Sequence, residues 1–355
     1  MARYRIGVLE CDGIGPEIVK SSVSVLTAAT GDGPALDLTP LPAGLSALQG
    51  LGKALPVDTI TALEQCHGWI MGPHDSESYP VSEHTKRNPS AELRHRFDLY
   101  ANIRPARAYP NVPALAPTMD LVVARENTEG FYADRNMFLG SGEFMPTPDV
   151  ALAVGLFTRR GAERIARTAF QLAMARRKKV AIVHKFNVLR LPYGLFLETC
   201  REVAKEFPEV EVEDFHVDNM AAQLVRRPGR FDVILTTNMF GDILSDLTGE
   251  LSGSLGLAPG LNAGDTHAMA QAAHGSAPDI AGRGIANPVA EILSTALLLR
   301  WLADKYQDVS ARTAAERMER AVVRTLESGV RTGDIGGSAN TETFTGAVIG
   351  NIGQE

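Results

Sequence analysis

The chain has 355 residues, 45% of them hydrophobic and 22% charged, with a formal net charge of −7. That length accommodates two domains or one large α/β body, and the composition is that of an ordinary globular protein rather than a disordered one. The acidic balance gives no electrostatic reason to expect nucleic acid or an anionic membrane as partner, and no apolar run reaches the ~18 residues that a membrane span needs.

The N-terminus enters a strand-like apolar run at residues 4–9 with no signal-peptide organisation, and Cys11, Cys66 and Cys200 are too scattered for a disulfide framework or a zinc site. A reduced, cytoplasmic protein is the expectation. The first strand ends in the loop Cys11-Asp12-Gly13-Ile14-Gly15, and Pro16-Glu17 then opens a helix. The third glycine of the dinucleotide fingerprint G-x-G-x-x-G is missing, so these glycines signal either a tight turn or close approach to a ligand. Residues 31–56, rich in Gly, Pro and Leu, carry no functional signal. Residues 57–65 read as a helix, 68–73 as a strand with its exit, and 74–89 as a polar loop. A basic amphipathic helix is expected over 93–99 and a strand-like piece over 100–104.

Residues 120–125 form another apolar strand that ends in Glu126-Asn127-Thr128-Glu129-Gly130. Charged residues at the carboxyl ends of strands are where α/β ligand sites form. Residues 134–158 have weak periodicity and suggest an extended arm or hairpin. Helices are expected over 161–176 and 195–207. The strand at 180–183 delivers His184-Lys185, and that at 211–217 delivers Asp218 before a helical turn over 219–226. The run 231–237 is strand-like, and the helix that follows carries Asp242 and Asp246 at i, i+4, one above the other on a single face. Two like charges there repel by a few tenths of a kcal/mol unless a cation sits between them. Two readings stand at this point: exposed aspartates favoured by the positive end of the helix in its first turn, or a hard divalent cation held by oxygens. A glycine-rich run at 249–264 leads to the loop 274–282, dense in backbone donors, and to apolar and amphipathic helices over 289–303 and 311–328. Strands alternating with helices at this spacing argue for a mostly parallel α/β sheet.

Seven segments occur in a fixed order: DGIGPE (12–17), LR…FDLYANIRP (93–105), RENTEGFY (125–132), HKFNVL (184–189), VDNM (217–220), TNMFGDILSD (237–246) and HGSAPDIAGRGIANP (274–288). Together they resemble the metal-dependent β-decarboxylating dehydrogenases, the family of isopropylmalate, isocitrate, homoisocitrate and tartrate/D-malate dehydrogenases. The resemblance implies a two-domain α/β fold with a mostly parallel sheet that is not a Rossmann fold. Its domains would be 1–103 plus 251–355, for cofactor, and 104–250, for dimerisation, metal and substrate, with 134–158 as an interlocking arm.

The implied reaction is oxidative decarboxylation of a (2R)-malate-type 2-hydroxy acid to a 2-oxo acid, CO2 and NADH. Arg94, Arg104 and Arg125 would clamp substrate carboxylates, a task suited to bidentate guanidinium geometry. Asp242 and Asp246, with Asp218 from a second subunit of a homodimer, would hold Mg2+ or Mn2+. Lys185, also from the second subunit, would take the hydroxyl proton, and Tyr132 would help to reprotonate the enol. Cofactor contacts would fall on Ile14, His274, Gly275, Ser276, Ala277, Asp279, Ile280 and Asn287. Asp279 points to NAD, because a carboxylate accepts from both ribose hydroxyls and repels a 2′-phosphate. Taken singly, most of these side chains are ordinary surface charges; their ordered set makes them a site.

The chain departs from the isopropylmalate pattern where substrate is selected. Arg87, Ser90 and Ala91 stand where those enzymes usually carry a glutamate and two leucines that form an apolar pocket. A polar pocket for a further carboxylate, with Arg87 and Ser90 as contacts, is the alternative. Gln271-Ala272 replaces the Glu-Pro that often precedes the HGSAPD loop, and Cys11 stands where Gly is usual. Two competing expectations are a tartrate/D-malate dehydrogenase and a catalytically inactive regulatory relative.

Overall fold

A computed structural model describes residues 3–31, 33–83, 87–132 and 142–353. Lys86 and residues 134–141 of the expected arm lie outside the described residues. One ten-stranded sheet organises the chain, in the order β2-β1-β3-β12-β11-β4-β5-β10-β8-β9. On one side are β1 (Arg3–Leu9), β2 (Ala35–Pro40) and β3 (Gly68–Met71), joined to β11 (Leu261–Ala263) and β12 (Ala268–Ala270). On the other are β4 (Ala101–Arg107), β5 (Asp120–Glu126), β8 (Lys179–His184), β9 (Glu211–His216) and β10 (Val233–Thr236). The outer pairings are parallel, and the antiparallel ones, β12–β11–β4–β5, join the two halves. Every residue of β3 and β10 is buried, as expected of strands covered by helices on both faces.

The helices are α1 (Gly15–Thr30), α2 (Leu45–Leu51), α3 (Val57–Leu63), α4 (Pro89–Arg96), α5 (Arg159–Met174), α6 (Arg190–Ala204), α7 (Val217–Arg226), α8 (Asn238–Ser252), α9 (Val289–Tyr306), α10 (Val309–Glu327) and α11 (Thr341–Asn351). Local chemistry accounts for their starts. The Thr158 hydroxyl accepts from Gly161 N at 3.0 Å to cap α5, and Asn88 accepts from Ala91 N at 2.7 Å to cap α4. Along α5, Ile165, Ala166, Ala169, Phe170 and Ala173 are all fully buried on one face. α9 is buried along nearly its whole length and packs against α1 and α10.

Two expectations are corrected, and one stretch to which no element was assigned gains two. α4 begins at Pro89, four residues before the expected helix, because Asn88-Pro89 makes a good cap and first turn. The stretch 31–56 contains β2 and α2; β2 is a half-exposed edge strand ending in a proline, which hides its pattern. α8 begins at Asn238, so Asp242 and Asp246 lie beyond the first turn and the helix-dipole argument for them falls away. In the expected arm, β6 (Glu143–Thr147) and β7 (Val150–Ala153) pair as a separate antiparallel hairpin whose residues are all exposed. No helix of the described residues is long and apolar enough to cross a membrane.

Candidate active site

The site forms where β4 and β5 run side by side and β10 hands over to α8. Register places Arg125 opposite Asn102 and Arg104 opposite Val123, so both arginines project from one face of the sheet as diagonal neighbours. β10 pairs with β5 on its other side, with Thr236 beside Arg125, and the chain turns there into α8. Helical spacing puts Asn238, Asp242, Ser245 and Asp246 in one stripe facing those arginines.

The contacts are dense. Asn238 Oδ1 accepts from Arg125 Nε at 3.1 Å and Nη2 at 2.7 Å. Arg125 Nη1 donates to Asp242, and Arg104 Nη1 lies 3.2 Å from the same carboxylate oxygen and 3.5 Å from Asp246. Arg104 also donates to Asn102 Oδ1 at 2.8 Å and to Ser245 Oγ at 2.6 Å. Tyr132 completes the cluster by donating to Asp242 Oδ2 at 2.9 Å. A folded turn supports that placement: Glu126, buried at the end of β5, accepts from Thr128 N, Thr128 Oγ1 and Glu129 N, each at 2.8 Å. Asn238, Asn102 and Ser245 were not singled out in the sequence. Their signal was positional: Asn238 and Ser245 share the face of Asp242, and Asn102 alternates with Arg104.

Packing explains Gly241, which otherwise costs a helix about 1 kcal/mol. A Cβ there would stand 2.5 Å from Arg125 Cγ and 2.6 Å from its Cβ. The absent side chain is the space in which Arg125 lies.

The two aspartates differ electrostatically. Burial opposes ionisation of Asp242, but Arg125 and Arg104 outweigh it and hold its carboxyl below the usual carboxylate range. At Asp246 burial prevails, Arg104 pulls the other way, and the neighbouring Asp242 adds to the rise, so its carboxyl lies above that range. Burial, then the adjacent Arg125, push the Arg104 guanidinium down to about 10 despite both aspartates.

Arg94 and Ser90 approach from α4. Both donate to Gln271 Oε1, Ser90 Oγ at 2.8 Å and Arg94 Nη2 at 3.2 Å. Arg94 is also close enough to lower the pKa of Asp242. Arg87 lies apart from that pair, in a groove it shares with Lys53, Val57 and Glu83. It contacts Glu92 at 3.4 Å and His95 at 3.3 Å.

Lys185 and Asp218 follow the neighbouring strands β8 and β9 and form an ion pair with each other. That hydrogen bond from Lys185 holds the Asp218 carboxyl below its ordinary value. Among the described residues, no three His, Cys, Asp or Glu side chains of one chain stand together as a set that could hold a metal ion. Asp242 and Asp246 are nonetheless the hard, oxygen-donating type that Mg2+ and Mn2+ take, and Asp246, with its side chain 54% exposed, is open to an incoming ion. His184, beside Lys185, is buried and contacts Asp214 at 3.1 Å, a structural placement.

The expected cofactor loop packs on the first strand's exit. Ile14 N donates to Ser276 O at 2.9 Å. Gly13 has φ +57°, and a Cβ on it would meet Ser276 O at 2.0 Å. The close approach that these glycines signalled is therefore to the chain's own backbone. Asn287 spends its amide on Val289 N at 3.1 Å and Asp334 at 3.0 Å, and Glu17 ties down Ala286 N at 2.8 Å. Asp279 is exposed, and Gly275 has open space around it. Cys11 is buried, and burial pushes its thiol well up, with Asp12 and Glu291 adding to the shift. An inert packed residue is what that environment makes of it.

The sequence profile of the family described as "Isocitrate/isopropylmalate dehydrogenase" matches residues 5–348. An isocitrate/homoisocitrate dehydrogenase of Thermus thermophilus is 47% identical over 347 residues, spanning 98% of both chains. A 3-isopropylmalate/3-methylmalate dehydrogenase of Methanocaldococcus jannaschii is 39% identical over 357 residues, spanning 99% of this chain and 100% of its own. Among solved structures, an isocitrate dehydrogenase from Methylococcus capsulatus superposes with a TM-score of 0.87 at 40% identity, covering 99% of this chain and 100% of that one. The mostly parallel sheet, the arginine–aspartate cluster and these likenesses lead to one conclusion: the chain belongs to the isocitrate/isopropylmalate dehydrogenase family and is an oxidoreductase.

Proposed function

We propose that the chain oxidatively decarboxylates a (2R)-malate-type 2-hydroxy acid, using NAD and Mg2+ or Mn2+ and yielding a 2-oxo acid, CO2 and NADH. The observation that carries this reading is the convergence of Arg104, Arg125 and Tyr132 on Asp242. Two buried guanidiniums beside a carboxylate that stays ionised form a place for an anionic substrate next to a cation. Arg94, Arg104 and Arg125 bind and orient the substrate carboxylates in this reading. Asp242 and Asp246 hold the metal ion, whose chemistry when bound is polarisation of the carbonyl formed on oxidation. Lys185 takes the hydroxyl proton, and Tyr132 returns a proton to the enol left after CO2 departs.

Lys185 and Asp218 act across a homodimer. Their pairing with each other rather than with Asp242 and Asp246 of the same chain supports that assignment. The hairpin β6–β7, with Phe144, Met145 and Leu152 exposed, fits the interlocking arm. The strand order also fits a division into 1–103 plus 251–355 and 104–250.

The polar pocket favours a 3-substituent with its own carboxylate, as in isocitrate or homoisocitrate. Ser90, at a position where isopropylmalate enzymes usually carry a leucine, donates to Gln271 Oε1 beside Arg94, and the Thermus relative is named for those two substrates. Following NADH absorbance with Mn2+ over isopropylmalate, D-malate, tartrate, isocitrate and homoisocitrate tests both levels. Turnover of isocitrate or homoisocitrate above the others is expected. A preference for isopropylmalate by orders of magnitude would overturn the polar pocket, and no turnover of any acid would leave the inactive relative as the better account.

A further inference from the structure

We propose that Asn262 positions the guanidinium of Arg104 through Asn102, a role that rests on the reading that Arg104 meets a substrate carboxylate. Asn262 lies on β11, which joins the β1–β3 side of the sheet, and β4 brings Asn102 directly opposite it. β5 sets Arg125 opposite Asn102, and β10 sets Thr236 beside Arg125. One row of directly opposed residues therefore crosses four strands, and all of its side chains are buried. Opposed residues share a face, and Arg104, two positions beyond Asn102, points to that face as well.

Hydrogen bonds run along this row in one direction. Arg104 Nε donates to Asn102 Oδ1 at 2.8 Å, and Asn102 Nδ2 donates to Asn262 Oδ1 at 2.7 Å. Asn127, fully buried just beyond β5, donates its Nδ2 to the same Asn262 oxygen at 3.0 Å and to Leu99 O at 2.7 Å. Chemistry leaves each amide one orientation. A guanidinium only donates, so Asn102 must turn its oxygen to Arg104 and its NH2 to Asn262. A backbone carbonyl only accepts, so Asn127 must turn its NH2 to Leu99. Both ends then require an oxygen from Asn262, and its Oδ1 supplies it.

The consequence falls on Arg104. Asn102 holds its Nε from the sheet, and Ser245 holds its Nη1 from α8, with Asp242 and Asp246 close by. Two anchors from different elements fix the plane of the guanidinium, which a bidentate contact with a carboxylate needs. Without an acceptor at 262, the NH2 of Asn102 is buried unsatisfied, a cost relieved by turning the side chain and releasing Arg104. The side of the sheet that carries β11 and β12, from which the loop 271–282 departs, thus sets the aim of an arginine on β4.

A double-mutant cycle tests this. Asn262→Leu keeps the volume and removes the acceptor, and Arg104→Met keeps the stem and removes the donors. The measurement is the Kd, by titration calorimetry with Mn2+, of whichever acid in the substrate panel is turned over best, with the Kd for NAD alongside. In the wild-type background Asn262→Leu is expected to weaken acid binding about tenfold, the scale of one lost hydrogen bond, and to leave NAD binding within about twofold. In the Arg104→Met background the same change is expected to cost less than about twofold, because nothing remains for it to position. An equal loss in both backgrounds, no loss in the wild type, or an equal loss of NAD binding would overturn the inference, since a purely structural role does not depend on Arg104. If thermal melting shows Asn262→Leu to be unfolded, Asn262→Ser, whose shorter side chain cannot reach both amides, carries the same criteria. Arg104→Met alone separates the two levels. Unchanged acid binding in that variant would sink the assignment of Arg104 to substrate, whereas weakened binding together with an additive Asn262→Leu would sink only the role of Asn262.

Discussion

Replacing Glu291 by Gln tests how the core behind the loop 271–282 is built. Glu291 is fully buried at the start of α9. One of its carboxyl oxygens accepts from Ala272 N, and the other has no hydrogen-bond partner. Burial pushes its carboxyl from the ordinary 4.5 up to about 8, with the single N–H bond pulling weakly the other way. The folded chain therefore keeps this proton up to about pH 8, whereas the unfolded chain loses it near 4.5. Between those values the unfolded state binds fewer protons, so stability falls as pH rises through the window and the loss is complete above it. At ~1.4 kcal/mol per pH unit, the stretch from pH 6 to 8 costs the native chain roughly 3 kcal/mol. Gln keeps the acceptor for Ala272 and does not ionise. Urea titrations at half-unit pH steps from 5 to 9, plotted as the difference between the two proteins, cancel every other titrating group. The expected difference is small near pH 5, grows in favour of Gln up to pH 8 and is flat beyond. Parallel curves would refute the reasoning, since they would mean that Glu291 ionises alike in both states.

Three further outcomes are expected. Gly241→Ala would gain about 1 kcal/mol of helix propensity in an open helix; here its Cβ collides with Arg125, so a loss of 1–3 kcal/mol and at least a tenfold rise in substrate KM are predicted, and a more stable variant with normal KM would show that Arg125 does not need that space. Asp279→Lys is predicted to lower kcat/KM for NAD about tenfold or more, the scale of one lost charge-assisted interaction; unchanged NAD kinetics would argue against the cofactor assignment. Co-expressing inactive Lys185→Ala with inactive Asp242→Ala subunits is predicted to recover activity in mixed dimers, because one of the two sites then receives every intact residue. Purified mixed dimers without activity would place Lys185 and Asp242 in a single subunit's site.

What could be read from the residues alone were the features written in short windows. Apolar runs announced β5, β8 and β10, the 3.6-residue period announced α5 and α10, and the i, i+4 spacing placed Asp242 and Asp246 on one face. The ordered motifs supplied the family, which the comparisons bear out. Elements whose signal depends on distant neighbours were missed. β2 is an edge strand that pairs with β1 over thirty residues away, and β11 and β12 are three-residue strands that pair with each other and are flanked by β4 and β3 from the first third of the chain.

Tertiary structure alone decided which charges meet. Nothing local links Arg104 with Ser245, Arg125 with Asn238 and Asp242, or Arg94 and Ser90 with Gln271. Those pairings arise because antiparallel β4 and β5 set two arginines diagonally and because the parallel strand β10 ends beside them, aiming α8 at both. The same packing separated Arg87 from Arg94 within one short segment, since residues seven apart lie on one face only if the helix has already begun, and Arg87 precedes the cap at Asn88. Residue types and their order thus determined the chemistry available, while strand register and helix phase determined which groups share a space small enough for charge to matter.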